Sequence, residues 1–350
     1  MNKKKKHKKY KDIDIDFDYK EKQTFDIVKK SNNINGDKII TSPEFPYIII
    51  RQKVYYDSTI FHIYNKENFN FIQKITKPYF YRCFPLNETS IILSGEDSKC
   101  EIWQKNKNIF VKTKSLNTSI NSNVLFNSRN RLFFCNCYRR KAEIQIWYTV
   151  NKIPTSILTK IIVDYTRDKK IFFMNNEKIF VLCHCNFDFI LFLNNQEKLG
   201  ITFYDTHSMK IIKNFSLVKK QSDLKAFKLD ENRIIIIEKE NISKFCNEIN
   251  LVCMIKIMTV PEFKVVKEFK SEFPCEDILI YKNNFILYES MIKFYNKDNY
   301  QLIKEIQIRG INHLILIKEN YLLALLNQYV TFTYDETNQQ KDLVLYQLNI

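Results

Sequence analysis

The chain has 350 residues, a formal net charge of +16, nine cysteines and only four glycines. An odd number of scattered cysteines argues against a secreted disulfide framework, and the lysine-rich first residues are not followed by the apolar core of a signal peptide. The longest apolar stretch, Ile179 to Leu193, contains polar residues and is too short to span a bilayer. These features predict a soluble intracellular protein, cytoplasmic or nuclear, in a reducing compartment.

The first 24 residues differ in composition from the rest. Lysines dominate Lys3 to Lys9, and acidic residues then alternate with apolar ones from Asp12 to Asp18. We expect residues 1–24 to form a disordered basic tail and residues 25–350 to form one domain. A nuclear import signal or a nucleic-acid-binding arm is the functional alternative for the tail. The positive charge of the domain is either functional or a result of A/T-rich codons, which also encode its abundant Asn, Ile, Phe and Tyr.

Along the domain, short strands ending in an aromatic or bulky residue recur and run into polar turns. The gaps between their ends range from 38 to 57 residues and average 45, close to the length of a four-stranded propeller blade. Polar turns followed by short apolar runs come after most of them, as expected of an outer hairpin. The seven strands are Phe61–Tyr64, Cys100–Trp103, Ile144–Trp147, Ile201–Tyr204, Met254–Ile257, Ile292–Tyr295 and Val330–Tyr334.

A second signal lies upstream of these strands. An apolar anchor, an Asn- or Asp-rich turn and an apolar run are what an inner β-hairpin requires. Because this motif keeps a constant order with the strands, it predicts repeated blades. The anchors are Phe84, Phe126, Phe173 and Phe227, with weaker copies beginning at Ile280 and Ile317.

The segment from Phe84 to Trp103 resembles a WD40 repeat from its inner hairpin to its Trp. Asp97 and Trp103 lie where that family places two members of a side-chain hydrogen-bond network, and Trp147 ends the next repeat in the same way. No Gly-His dipeptide occurs in the chain, so the resemblance is to degenerate repeats. It implies an all-β, WD40-like, seven-bladed β-propeller.

Closure of the ring has two possible arrangements in the sequence. The final run, Leu343 to Leu348, could supply the outer strand of the last blade. Phe25 to Val28 could instead join that blade and close the ring. Closure itself is expected because open sheet edges promote aggregation.

Two neighbouring blades, the fourth and fifth, carry about ten extra residues between their second and third strands, in loops at about 185–199 and 238–251. Insertions on one face of a repeat protein often form its binding face, although surface loops also tolerate neutral insertions. The predicted partner-binding residues are Asn186, Asn194, Asn195, Gln196, Lys198, Lys239, Asn241, Lys244 and Asn247.

Motifs for catalysis are missing from the sequence. There is no Gly-x-Ser-x-Gly elbow and no phosphate loop, so we predict a protein that is not an enzyme and uses no cofactor. Cys183-His184-Cys185 is the most metal-like triplet. Successive residues of a strand point to opposite faces, so His184 points away from the face that Cys183 and Cys185 share. We therefore interpret these cysteines as buried structural residues and predict no metal site.

Arg139, Arg140 and Lys141 form the densest basic group on a predicted surface. The arginines are similar to the Arg pair of phosphoinositide-binding propellers, although the flanking Phe, Gly and Thr of that motif are missing. We therefore mark these three residues as a candidate anion-binding site.

Three functions remain for the sequence. The first is a scaffold that docks protein segments within a multi-subunit complex, with the propeller itself monomeric; this step from fold to function is an analogy. The second is an RNA-associated propeller acting in ribosome assembly or RNA processing. The third, with less support, is phosphoinositide or anionic membrane binding.

Overall fold

In a computed structural model of the protein, the described residues form strands and turns and no helix. The structure describes residues 25–34, 36–42, 44–54, 58–78, 81–95, 99–118, 120, 124–138, 141–163, 169–186, 197–219, 222–243, 249–271, 275, 277–288, 291–306, 308, 311–318, 321–327 and 341–348.

The strands form seven antiparallel sheets of four strands each. In chain order the strands are β1 (Phe25–Ile34); the first blade, β2 (Lys38–Ile40), β3 (Tyr47–Val54), β4 (Ser58–Asn65) and β5 (Phe71–Pro78); the second, β6 (Tyr81–Asn87), β7 (Ser90–Gly95), β8 (Cys100–Asn106) and β9 (Ile109–Leu116); the third, β10 (Leu125–Phe126), β11 (Arg131–Tyr138), β12 (Lys141–Val150) and β13 (Ile153–Val163); the fourth, β14 (Lys169–Met174), β15 (Ile179–Asn186), β16 (Glu197–Asp205) and β17 (Ile211–Lys219); the fifth, β18 (Ser222–Lys228), β19 (Arg233–Ser243), β20 (Ile249–Thr259) and β21 (Val265–Ser271); the sixth, β22 (Asp277–Tyr281), β23 (Asn284–Tyr288), β24 (Ile292–Asn296) and β25 (Leu302–Ile306); and the seventh, β26 (Ile311–Lys318), β27 (Tyr321–Asn327) and β28 (Lys341–Leu348).

The core lies between the blades. The second strand of a blade is covered on both faces, so β7 buries all six of its residues, as expected for a strand in the middle of stacked sheets. Seven apolar clusters are present among the described residues, and each joins two neighbouring blades, including the seventh and the first. The blades therefore form a closed ring, which confirms the predicted seven-bladed propeller.

A β-bulge recurs at one position in six blades. At this position, one residue of the outer strand has no partner on the third strand. The next paired residue of the third strand is the bulky residue that ends its sequence pattern. In the fifth blade that residue is Met258, one position later than the predicted Ile257. A bulge bends the strand and re-aims the next side chain, which explains why a large residue recurs there: Tyr64, Trp103, Trp147, Tyr204, Met258 and Tyr295.

Both tryptophans bond to the residue two positions before them. The Trp103 Nε1–H donates to Glu101 Oε2 at 3.0 Å, and the Trp147 Nε1–H donates to Gln145 Oε1 at 3.0 Å. Alternate residues of a strand share a face, so each pair is built within one strand. The predicted structural residue Asp97 lies outside the described residues.

The two faces of the ring differ in what they carry. The first strands of neighbouring blades contact each other and are innermost. Because successive strands run in opposite directions, one face carries the beginnings of the innermost strands and the second-to-third connections. We call it the connection face. The other, the turn face, carries the first-to-second and third-to-fourth turns.

Polar groups of the turn face bond from blade to blade. The Ser128 hydroxyl of the third blade donates to Glu177 Oε2 of the fourth at 2.7 Å. The Asn176 backbone N–H donates to Glu231 Oε2 of the fifth at 2.9 Å. Arg233 then donates to the Lys297 carbonyl of the sixth at 2.8 Å. The Asn-rich turns predicted from the sequence thus hold neighbouring blades together.

Ring closure follows the second of the two predicted arrangements. β1 pairs with β28 from Phe25↔Leu348 to Ile34↔Lys341, and the order of the last sheet is β1-β28-β27-β26. The expectation that Leu343 to Leu348 forms the outer strand is therefore wrong, since this run is the third strand. Val330 to Tyr334, expected to be the third strand, lie outside the described residues.

The predicted loop of the fifth blade is largely strand. β19 and β20 stay paired up to Ser243↔Ile249, so the expectation of a loop over residues 238–251 is wrong for residues 238–243 and 249–251. Residues 244–248 lie outside the described residues. Alternating apolar residues on β20 support the longer hairpin. In the fourth blade the pairing ends at Asn186↔Lys198, and residues 187–196 lie outside the described residues.

Candidate binding site on the connection face

Charged residues converge where the innermost strands begin on the connection face. Among the described residues, five cations and two carboxylates lie there, together with one histidine. We name this group the axial cluster: Lys38, Arg51, Arg82, Lys170, Lys225, Asp37, Asp277 and His313.

The first blade supplies a cation held by a carboxylate. Arg51 Nε donates to Asp37 Oδ1 at 3.1 Å and its Nη2 to Asp37 Oδ2 at 2.5 Å, a bidentate pair of the stronger kind. The backbone N–H of Asp37 also donates to the Arg51 carbonyl at 2.7 Å. Gly36 permits this close approach, since a Cβ there would lie 2.2 Å from Ile50 Cγ2. Arg51 is thus fixed in place.

Lys38 lies directly opposite Arg51 in the β2–β3 register, and directly opposed residues share a face of the sheet. Desolvation by the surrounding protein lowers the pKa of Lys38, and the charges of Arg51 and Arg82 lower it further. Arg82 lies at the start of β6, the first strand of the second blade, and β6 contacts β2. Cations of two neighbouring blades are therefore close to one another. These like charges repel one another.

Lys170 reaches over the fifth blade to the sixth. Its Nζ lies 3.5 Å from the centre of the Phe227 ring and 3.2 Å from Asp277 Oδ1. Partial desolvation inside the ring lowers the pKa of Lys170 most, and Lys225 of β18 lowers it as well, whereas Asp277 raises it. Lys170 thereby joins blades that are not adjacent.

His313, on β26 of the seventh blade, carries a buried Nδ1 with no hydrogen-bond partner. Burial lowers its pKa to about 4, and the charges of Lys38 and Arg51 contribute, whereas Asp277 and Asp37 raise it. The imidazole is therefore neutral near pH 7. A buried polar atom without a partner is costly, so this nitrogen marks a place where a polar group would be stabilised.

The sequence analysis missed the axial cluster, although a signal exists. A basic residue stands two positions before an apolar residue of three innermost strands, in Arg82-Cys83-Phe84, Lys170-Ile171-Phe172 and Lys225-Ala226-Phe227. The same spacing occurs in Lys38-Ile39-Ile40. Period-two spacing places such a pair on one strand face, so the repeat alone could have indicated recurring cations beside the axis.

Four of the nine predicted partner-binding residues lie on described strand segments that lead to the same face. Asn186 and Lys198 form the last pair of β15 and β16, and Lys239 and Asn241 lie on β19. Their side chains are not described, and the remaining five lie outside the described residues: Asn194, Asn195, Gln196, Lys244 and Asn247.

One of the three predicted anion-binding residues lies on a described strand. Lys141 begins β12 and pairs with Tyr138, whereas Arg139 and Arg140 lie outside the described residues.

Of the metal-like triplet, Cys183 is buried, and its thiol lies 3.6 Å from the Leu224 carbonyl. The described residues contain no group of three potential metal ligands. Within the same part of the chain, no helix is long and apolar enough to cross a membrane.

No protein-family model matches the sequence, and no curated protein matches it. Solved structures do resemble it. The Kuenenia stuttgartiensis hydrazine synthase structure has a TM-score of 0.59 at 11% identity and covers 85% of this chain and 94% of that one. Saccharomyces cerevisiae Sqt1 has a TM-score of 0.55 at 8% identity, with 94% and 99% covered.

The WD40 domain of Toxoplasma gondii coronin has a TM-score of 0.58 at 9% identity and covers 93% of this chain and 89% of that domain. At such low identities the likeness concerns the fold alone, and an enzyme stands among the similar structures. Seven four-stranded blades joined into one ring carry the same conclusion independently. The chain is a WD40-like seven-bladed β-propeller.

Proposed function

We propose that this protein is a non-catalytic interaction scaffold whose connection face docks a protein partner within a larger assembly. The observation that carries the proposal is the projecting hairpin of the fifth blade. Between the bulge position and the connection face, β20 has ten residues paired with the second strand of its blade, Ile249 to Met258. In the sixth blade, β24 has four such residues, Ile292 to Tyr295. The six additional residues, at about 3.3 Å each, extend the fifth-blade hairpin about 20 Å beyond the paired part of the sixth-blade hairpin.

Among the described residues, the end of this hairpin has two open edges. β18 pairs with β19 only as far as Ser222↔Glu240, and β21 pairs with β20 only as far as Cys253↔Ser271. Beyond them, the pairs from Asn241↔Leu251 to Ser243↔Ile249 have no flanking strand among the described residues. An exposed edge accepts an added strand from another chain, so a partner segment can extend this two-stranded end.

The turn face is less suited to docking. Its polar groups bond between blades: the Ser128 hydroxyl donates to Glu177, and the Asn176 backbone N–H donates to Glu231. Binding there would compete with contacts that hold the ring together. WD40-like propellers generally mediate protein interactions, which agrees with a docking role for the other face.

The test is affinity purification of tagged protein from its own cells. In the test variant, residues 241–251 are replaced by Asn-Gly, a dipeptide suited to a two-residue hairpin turn. The matched control carries Glu67→Gln and Glu262→Gln, two exposed residues of the turn face. We expect both variants to retain the thermal stability of the wild type, and only the hairpin variant to lose a stable set of partners.

Retention of every partner by the folded hairpin variant would overturn the proposed docking element. The purification is repeated with ribonuclease and at two salt concentrations, because binding through phosphates weakens steeply with salt. Partners lost under those conditions from the wild type would favour the RNA-associated alternative over the scaffold.

RNA binding stays a second prediction. Lysines occupy the same register position on the outer strands of four blades, where Lys114, Lys213, Lys267 and Lys304 each oppose the residue before the bulge. This placement distributes positive charge around the ring and favours no single nucleic-acid surface. Membrane binding through Arg139 to Lys141 also stays a prediction.

A further inference from the structure

We propose that the axial cluster is a binding site for one compact polyphosphate anion, taken up by the free protein independently of the partner that the connection face docks. The cations come from four blades: Lys38 and Arg51 from the first, Arg82 from the second, Lys170 from the fourth and Lys225 from the fifth. Charges that surround an axis match a ligand with negative charge on several sides, whereas an extended polymer would be followed by cations along a groove.

The balance of charge in the cluster favours an anion. Five cations face two carboxylates among its described members, and both carboxylates already hold a cation, Asp37 holding Arg51 and Asp277 holding Lys170. These pairs fix two of the cations before a ligand arrives, which reduces the entropy lost on binding. A bound anion would also relieve the repulsion between Lys38 and the two arginines.

The residue types suit phosphate. Arginine presents a planar fork that matches phosphate oxygens, and lysine supplies a compact point charge. The side chains of Lys170 and Asp277 are 43% and 40% exposed, so the cluster is open to a solute. The unpartnered Nδ1 of His313 adds a polar atom that can bond a protonated phosphate oxygen or an intervening water.

The experiment is titration calorimetry of the purified full-length protein with inorganic tripolyphosphate. The test variant is Lys38→Gln with Arg82→Gln. The matched control, Lys114→Gln with Lys267→Gln, removes the same charge from outer strands. We expect one tripolyphosphate per protein, binding at least about tenfold weaker to the test variant, since two charge-assisted hydrogen bonds are lost, and unchanged binding to the control.

Equal weakening in both variants would show non-specific attraction to net charge and overturn the proposal, as would no binding to the wild type. A singly phosphorylated peptide or a short single-stranded RNA that binds the cluster more tightly than tripolyphosphate would also overturn it, in favour of a macromolecular ligand. If the test variant fails to fold, amine labelling of the wild type decides. Tripolyphosphate must then protect Lys38 and Lys225 more strongly than Lys114.

Discussion

A buried amide at Gln145 shows how single polar residues are accommodated inside this ring. Gln145 is 1% exposed, and its Oε1 accepts from Trp147 Nε1 and from Thr118 Oγ1, each at 3.0 Å. Its own Nε2 donates to Glu143. Every polar atom of the buried amide thus has a partner, which is the condition for burying it without a large loss of stability.

Gln145→Met should therefore cost far more than its change in volume suggests. The substitution removes the acceptor of two buried donors, and we expect a loss of about 2–4 kcal/mol in the free energy of unfolding, measured in urea. Trp147→Phe removes one donor. The double variant should lose less than the sum of the single variants, and strictly additive losses would contradict the shared acceptor.

His313 makes stability depend on pH in one direction. Its pKa falls from 6.5 to about 4 in the folded protein, so between these values the unfolded chain takes up a proton that the folded chain does not. The contribution of His313 to the free energy of unfolding is therefore fully present above pH 6.5 and is lost as the pH falls towards 4. Urea unfolding across this range should show a shallower decline for His313→Gln, and parallel curves would refute the assignment.

At the scale of elements, four third-to-fourth turns share one unusual backbone. Phe69, Met209, Phe263 and Tyr300 have φ between 54° and 61°, and each backbone N–H donates to the residue four positions earlier. Glycine normally occupies such positions, because a left-handed residue with a side chain costs about 1–2 kcal/mol. Here each side chain packs into the cluster between its blade and the preceding one. The packing offsets the backbone cost.

This balance predicts an inverted order of substitutions at Met209. Alanine loses the packing and keeps the backbone cost, whereas glycine loses both, so Met209→Gly should be more stable than Met209→Ala by about 1 kcal/mol in urea unfolding. Ile212, an exposed residue of the outer strand β17 that is 44% accessible, is the control. At Ile212 the alanine variant should be more stable than the glycine variant, as in ordinary strands. The same order at both positions would contradict the interpretation.

The strands that could be predicted from the sequence were those in which the same local feature of the backbone recurs from blade to blade and selects the same type of residue. The bulge before Trp103, Trp147 and Tyr204 selects a large residue at one spacing, and that spacing identified the third strands. The last blade broke the pattern because its outer strand comes from Phe25 to Ile34, at the other end of the chain. The axial cluster was missed for a related reason: its members come from six blades, and only their positions in three dimensions bring them together.

At the scale of the whole molecule, closure determines what the connection face can do. The first and last blades share one apolar cluster, and in it Ile48 and Ile50 lie against Leu323 and Leu325. If the ring were open, Lys38 and His313 would not approach one another, and the axial cluster would not exist. The proposed anion site and the docking face both depend on the pairing of β1 with β28.

Cross-linking of β1 to β28 tests that closure most directly. Consecutive antiparallel pairs alternate between wide and close spacing, so one of two neighbouring cysteine pairs must suit a disulfide. The two double variants are Asp26→Cys with Gln347→Cys and Ile27→Cys with Tyr346→Cys, at registered positions. Asp26→Cys with Lys304→Cys, which places the second cysteine on the outer strand of the sixth blade, is the control.

After mild oxidation, peptide mapping should find the β1 and β28 peptides joined in at least one double variant and not in the control. Failure of both pairs, or equal yield in the control, would contradict a ring closed by the two ends of the chain.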